Sequence, residues 1–596
     1  MPSIPTAPSS TPTLENARSA DDEAAARRAA ERFDGRVHAA AAKLGGGLSP
    51  IALALAFTDW ALHLATQPAQ ATRLALRAQQ SALGLWGQAL GGAEPAHDDA
   101  RFAHPAWRAW PWAPVVNAVH AAEDWWADAT HLRGMTAHHG EMTQFFARQW
   151  LDMLSPANLG LANPEVQQRT LQRGGVNLID GAANALDAWR RKQGLPPLQP
   201  PAQQFRPGIE VALTPGRVVH RNALVELIQY TPTTPTVFAE PVFIVPSWIM
   251  KYYILDLSPH NSLVRWLVAQ GHTVFILSWH NPDEGDALLD MADYLALGVF
   301  DPLAAIARLL PDQAVHAAGY CLGGTLLSLA AAALARPGRI ERAECLPTLR
   351  SVTLLAAETD FSEPGEMGVL IDESQVALLE DMMAERGFLS GAQMAGSFSY
   401  LHSRELVWSQ ANRRFWLGEP DQPNDLMAWN ADSTRMPATM HSEYLRRCYL
   451  HNQIAEGRFP VEGRPVSLAD ISLPMFVVGT EKDHVSPWKS VYKILRLCDT
   501  EICFVLTNGG HNAGIVSEPG HPHRHYAMTT RSADGPWQGP AQWQAEAPTF
   551  DGSWWTAWHG WLLARGSGHR VPGRVPPVQA GLGPAPGRHV FECYAD

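Results

Sequence analysis

Two rhythms divide the chain. In its first third, apolar positions recur at helical spacing. Residues 23–44 are mostly Ala, Arg and Glu and predict a helix, and residues 50–90 continue the period. Residues 120–154 predict one or two amphipathic helices with Met142, Phe145, Phe146, Trp150 and Met153 on one face. Ser155-Pro156-Ala157-Asn158 breaks that pattern, and Asn163-Pro164-Glu165 opens a further helix to about residue 189. A Pro-rich stretch at 194–207 marks a boundary. Beyond it, short buried runs at 218–230, 242–245, 273–279, 315–320, 351–355, 474–479 and 502–506 alternate with helical segments, which implies a parallel sheet. Residues 356–471 lack this alternation and are expected to form a cap or lid inserted into the sheet domain. The expected organisation is a disordered tail at 1–22, a helical domain at 23–205, an α/β domain at 206–569, and an extended Pro/Gly-rich tail at 570–596.

Composition narrows the partners. A formal net charge of −13 without a basic cluster argues against nucleic acid. The six cysteines (Cys321, Cys345, Cys448, Cys498, Cys503 and Cys593) form no C-x-x-C pair, and no secretory signal is evident, so they read as reduced thiols of a cytosolic protein. The longest apolar run, 322–335, is too short to span a bilayer, so no transmembrane segment is expected. Many of the 22 tryptophans cluster at Trp107, Trp110, Trp112, Trp125 and Trp126 and again at Trp554, Trp555, Trp558 and Trp561. They read either as internal packing or as a surface that meets something apolar.

The chemistry centres on Gly319-Tyr320-Cys321-Leu322-Gly323, a G-x-S-x-G pattern with Cys for Ser, placed between an apolar strand and an Ala/Leu-rich helix. Such a turn holds its nucleophile in a strained conformation and puts the Leu322 N–H at a helix N-terminus, where it can act as an oxyanion donor. In an open α/β sheet, partners gather at the carboxyl ends of strands. One strand is followed by Thr480-Glu481-Lys482-Asp483-His484 and the next by Gly509-Gly510-His511-Asn512. Nucleophile, Asp and His in that order are expected of an α/β-hydrolase fold, with His511 as base and Asp483 orienting it. Glu481 and His484 compete for these roles but rank lower by position. A second oxyanion donor is expected around Ser247 and Trp248. A thiol that attacks a thioester yields another thioester, so the acyl group stays activated. This favours acyl transfer over hydrolysis.

Several longer stretches carry a resemblance: Trp248-Ile249-Met250-Lys251-Tyr252-Tyr253-Ile254-Leu255-Asp256-Leu257, Ser262-Leu263-Val264-Arg265, Gly271-His272-Thr273-Val274-Phe275, Ser278-Trp279-His280-Asn281-Pro282, and Asn424-Asp425-Leu426 with Trp429-Asn430. With the Cys321 box, Asp483-His484 and Gly510-His511, the chain resembles the polyhydroxyalkanoate synthases from about residue 104 to 561 and beyond. In length it is similar to the class that acts as a single polypeptide. The resemblance implies polymerisation of (R)-3-hydroxyacyl-CoA, short-chain 3-hydroxybutyryl-CoA above all, into polyester with release of CoA. It makes Cys321 the carrier of the growing chain, His511 its base, and Asp483 the partner that helps activate the incoming hydroxyl. No metal and no cofactor beyond the CoA thioester are implied. A homodimer in the cytoplasm, on the surface of polyhydroxyalkanoate granules, is implied as well. The family pattern has Pro where Ser247 stands, Asn where Met250 stands and Arg where His280 stands, and these loop positions bear on substrate preference. Two other readings fit the motifs. A Cys-dependent esterase, thioesterase or polyester depolymerase would give free 3-hydroxy acid and no polymer. A non-catalytic granule-associated homologue would bind granules without releasing CoA. The helical domain is expected either to support the α/β domain or to attach to granules and stabilise a dimer.

Overall fold

The computed structural model describes residues 14–593 apart from 45–46, 92–98, 199–202, 339–342, 395, 397–402 and 421. Residues 1–13 of the expected tail and 199–202 of the Pro-rich boundary lie outside the described residues.

Ten strands form one mixed sheet. They are β1 (Gly216–Arg221), β2 (Val225–Tyr230), β3 (Val242–Val245), β4 (Val274–Trp279), β5 (Val315–Tyr320), β6 (Leu349–Leu355), β7 (Met475–Thr480), β8 (Ile502–Thr507), β9 (His525–Arg531) and β10 (Thr549–Asp551). Their order is β1-β2-β4-β3-β5-β6-β7-β8-β9-β10. The six strands from β4 to β8 in that order run parallel, and antiparallel pairs close both edges. β3, β4, β5, β7 and β8 are buried throughout, as strands covered on both faces must be, which is why each reads as an apolar run rather than an alternation.

Among the described residues, seven α-helices precede the sheet: α1 (Leu14–Leu44), α2 (Pro50–Ala65), α3 (Pro68–Gly91), α4 (Trp112–Ala129), α5 (Ala137–Leu154), α6 (Pro164–Gln172) and α7 (Val176–Lys192). α1 starts at Leu14, inside the segment expected to be disordered, because Ala, Arg and acidic residues of the same helix-forming kind extend that far. The Asn163 carboxamide accepts from the Glu165 and Val166 N–H groups, with Pro164 at the first helical position, so the expected helix starts there. It divides at Gly174 and Gly175, whose φ values of 57° and 85° interrupt the helix. Among the described residues, no helix is long and apolar enough to cross a membrane.

Behind the nucleophile turn, α8 (Leu322–Ala335) is buried along most of its length. Residues 356–471 contribute α9 (Glu373–Met383) and α10 (Ala438–Tyr444). The N-terminal helices hold this segment. His38 meets Asp381 at 3.0 Å, and the Gln375 side chain accepts from the Ser49 N–H and donates to the Gly47 carbonyl, both at 2.8 Å. Arg404 pairs with Asp152 and Glu123 at 2.6 Å each, and Asn184 donates to the Arg414 and Glu419 carbonyls.

The tryptophan clusters are mostly internal. α11 (Trp554–Arg565) buries Trp554, Trp555, Trp558 and Trp561 on the sheet, where the Trp558 indole donates to Thr353 Oγ1 at 2.9 Å. Trp107 is fully buried, whereas Trp110 is 70% exposed.

The C-terminal segment is not the free extended tail its composition suggests. Arg570–Pro572 pairs antiparallel with Thr236–Phe238, and a short helical turn at His589–Phe591 buries His589 and Val590. The reason is Glu592. Its carboxylate accepts from His280 Nδ1 at 2.7 Å, the Asn281 N–H at 2.8 Å and His589 Nδ1 at 2.6 Å. Its carbonyl accepts from Lys251 Nζ and Asn281 Nδ2, both at 2.8 Å. Thus His280 sits in this clasp. Glu592 accordingly lies below the usual carboxylate range although burial opposes its charge, and hydrogen bonding to Glu592 raises His280 against burial.

Glu592→Ala is therefore expected to lower Tm by roughly 2–6 °C. A raised His280 contributes fully below its unfolded value of about 6.5, and its contribution is lost as pH rises through the raised value. A depressed Glu592 contributes above its unfolded value of about 4.3. The Tm difference from wild type should thus be larger at about pH 6 than at about pH 9. Scanning calorimetry at both values checks this, and equal differences would remove the charge pair from the account.

Candidate active site

β5 delivers the chain to Cys321, whose φ of 52° and ψ of −128° lie where non-glycine residues rarely go. Two contacts hold it there: the Cys321 N–H donates to the Leu355 carbonyl at 2.8 Å, and its own carbonyl accepts from Gly324 N–H at 2.8 Å. The glycines are required by close approach. A Cβ on Gly323 would lie 2.1 Å from the Val245 oxygen, and one on Gly319 would lie 2.4 Å from Gly324 Cα. The thiol residue is 7% exposed at the N-terminus of α8. Leu322 is the first residue of that helix, so its N–H has no acceptor within it.

The loops after β7 and β8 bring the partners. His511 Nδ1 lies 2.8 Å from Asp483 Oδ2, and the imidazole feels the charge of Cys321 as well as that of Asp483. Asp483 is held from behind: Thr480 Oγ1 donates to Oδ2 at 2.8 Å, and the Val485 and Ser486 N–H groups donate to Oδ1 at 2.9 and 2.8 Å. The Tyr320 hydroxyl donates to Asn512 Oδ1 at 2.6 Å and ties the end of β5 to the His511 loop. Burial alone would discharge His511, but the Asp483 carboxylate and then Cys321 outweigh it and hold the imidazolium well above its ordinary range. Asp483 lies below the usual carboxylate range despite burial, because the His511 charge and these hydrogen bonds favour its anion. Glu481 and His484 are exposed and do not line the cavity.

A cavity of about 590 Å³ lies against Cys321 and Leu322. Its walls include Phe361, Ile371, Met436 and Tyr444 from the 356–471 segment, and Ala42 and Leu48 from the N-terminal region. Of the loop after β3, Ile249 lines the cavity, while Ser247 and Trp248 are buried behind it, at 4% and 1% exposure. The cause is local. The Val245 and Pro246 backbone passes directly over Gly323, and Trp248 packs among Trp279, Tyr294 and Tyr444.

Sequence reasoning passed over Glu358. It follows β6, is 4% exposed and lines the cavity together with Cys321. Its place at the carboxyl end of a strand was the signal that could have found it. The motifs around 248–257 and 424–430 prove to be a joint between the α/β domain and the inserted segment. The Trp429 indole donates to the Lys251 carbonyl at 2.7 Å, and Ser258 Oγ and Asn261 Nδ2 donate to Asp425 at 2.6 and 2.9 Å.

A family model described as the N-terminus of poly-beta-hydroxybutyrate polymerase matches residues 98–267, a second N-terminal model of that polymerase matches 28–70, and the alpha/beta hydrolase fold matches 240–518. The chain is 38% identical to the poly(3-hydroxyalkanoate) polymerase of Methylorubrum extorquens, over 88% of this chain and 87% of that one. It is 35% identical to the poly(3-hydroxyalkanoate) polymerase subunit PhaC of Rhizobium etli, over 87% of this chain and 80% of that one. The same subunit of Cupriavidus necator is 35% identical, over 88% of each chain. The chain thus belongs to the poly(3-hydroxyalkanoate) polymerases, acyltransferases built on an α/β-hydrolase fold.

Proposed function

We propose that this polymerase works through a covalent thioester on Cys321, built from (R)-3-hydroxyacyl-CoA, with 3-hydroxybutyryl-CoA as the preferred donor. The observation that carries the reading is the hydrogen-bonded His511–Asp483 pair, whose imidazole interacts electrostatically with Cys321 at the wall of a largely apolar cavity. His511 takes the thiol proton, the sulfur attacks the thioester carbonyl, and the bond from that carbonyl to CoA sulfur breaks. The departing CoA sulfur receives the proton from His511. The Leu322 N–H, at the head of α8, faces the developing oxyanion. In the second half, His511 removes the proton of a hydroxyl group, whose oxygen attacks the Cys321 thioester. As the ester bond forms, the bond from that carbonyl to Cys321 sulfur breaks, and His511 returns the proton to the sulfur, which leaves the free thiol. Asp483 already accepts from Thr480, Val485, Ser486 and His511, so it acts through the imidazole rather than on the hydroxyl itself.

The short-chain preference is supported by the description of the matched family as poly-beta-hydroxybutyrate polymerase. The protein acts on the surface of polymer granules in the cytoplasm, as a homodimer without a cofactor. Exposed Leu76, Leu83 and Trp86 on α3 supply an apolar face suited to such a surface.

Cys321→Ala is expected to abolish both CoA release and polymer, read by a thiol assay and by sedimented polyester in one incubation with 3-hydroxybutyryl-CoA. Activity surviving that change would sink the mechanism. Asp483→Asn leaves the packing in place but favours the wrong imidazole tautomer, so CoA release should fall by roughly 10⁴-fold. A loss of less than about tenfold in steady-state kinetics would show that His511 needs no partner.

A further inference from the structure

Glu358 is a carboxyl group inside the acyl cavity with no role in the thiol–imidazole–carboxylate chain. Its backbone is fixed, since the Thr325 hydroxyl on the first turn of α8 donates to the Glu358 carbonyl at 2.7 Å. Its side chain is not satisfied. Oε1 is buried without a hydrogen-bond partner among the described residues. Of the other polar side chains of the wall, Gln375 bonds Ser49 and Gly47, Tyr444 bonds Tyr449, and Thr325 bonds Glu358 itself, whereas His441 Nδ1 is likewise buried without a partner among the described residues. Burial, reinforced by the charges of Asp483 and Cys321, raises Glu358 well above the usual carboxylate range, and His511 and Lys493 offset this only in part. Buried Tyr444 and partly buried Tyr449 line the same cavity and bring no cation to it. A neutral carboxylic acid both donates and accepts, and an unpartnered one in an apolar wall is costly unless a ligand completes it.

We propose that Glu358 is a specificity-determining residue of the acyl cavity, whose carboxyl group hydrogen-bonds an oxygen on the third carbon of the acyl unit carried by Cys321. A plain fatty acyl group has no such oxygen and leaves the carboxyl group unpaired, whereas a 3-hydroxyacyl group completes it. This rests on the Cys321 thioester reading. The oxygen has two sources, the free 3-hydroxyl of a first unit or the ester oxygens of a chain already attached.

The test is single-turnover acylation of Cys321, followed by intact-protein mass spectrometry. The donors are 3-hydroxybutyryl-CoA, 3-acetoxybutyryl-CoA and butyryl-CoA. Wild type should acylate faster with an oxygenated donor than with butyryl-CoA. Glu358→Leu should reduce that ratio by about tenfold, and Glu358→Gln, which keeps a donor, should hold it within about threefold. A ratio that falls only for the hydroxy donor assigns the contact to the free hydroxyl, and one that falls only for the acetoxy donor assigns it to the ester. Ratios equal to wild type in both variants would overturn the proposal while leaving the thioester intact. Absence of any adduct on wild-type Cys321 would overturn the thioester reading and this one with it. Should the Leu variant not fold, infrared difference spectra of the wild type decide. The neutral carboxyl C=O band missing from Glu358→Gln should shift on acylation by 3-hydroxybutyryl-CoA but not by butyryl-CoA, and a band unmoved by both would refute the assignment.

Discussion

The geometry around Cys321 depends on one steric crossing. The first turn of α8 runs against the backbone leaving β3, so closely that Gly323 has no room for a β-carbon beside the Val245 and Pro246 carbonyls. That crossing forces the turn after β5 to be sharp, and the sharp turn places Cys321 in backbone space that a non-glycine residue enters only when its surroundings leave no alternative. The Leu355 carbonyl on β6 and the α8 helix supply the compensating hydrogen bonds. The thiol position is thus a property of three neighbouring strands rather than of one short motif, and the loops after β7 and β8 need only reach across to it.

What surrounds the thiol comes from three distant parts of the chain. The 356–471 segment supplies most of the wall, the N-terminal region adds Ala42 and Leu48, and the α/β domain adds Ile249. The helical region grips the inserted segment through Gln375, Asp381 and Arg404. Of the two roles its sequence suggested, support is plainly served, and it is given to the cavity wall as well as to the sheet. The tryptophans that looked like a candidate apolar surface near the C-terminus serve the core, where α11 lies on the sheet.

The strands and the elbow were legible because a strand buried on both faces is a bare apolar run and because the glycines around Cys321 are demanded locally. Asp483 and His511 were legible because strand ends are where a parallel sheet collects its chemistry. The C-terminal clasp was not, because Pro and Gly erase periodicity and every contact of Glu592 with the α/β domain spans more than three hundred residues of sequence. Ser247 and Trp248 lie in the loop after β3, but that loop turns its next residue, Ile249, to the cavity. That depends on the Trp248 ring finding Trp279, Tyr294 and Tyr444, and no local pattern records it. Glu358 was passed over because a single acid after an apolar strand looks like solvent-facing polarity until burial is known.

The clasp also bears on how the cavity wall is held. Glu592 secures Lys251 and Asn281, and the Asn281 side chain in turn accepts from the Arg435 N–H, one residue from the cavity-lining Met436. Residues more than three hundred positions away in sequence therefore fasten loops that border the cavity. The Asn281 side chain is the link: it donates to the Glu592 carbonyl and accepts from the Arg435 N–H. The clasp thus works as a guy-rope, and slack at its far anchor is passed to the wall beside Met436.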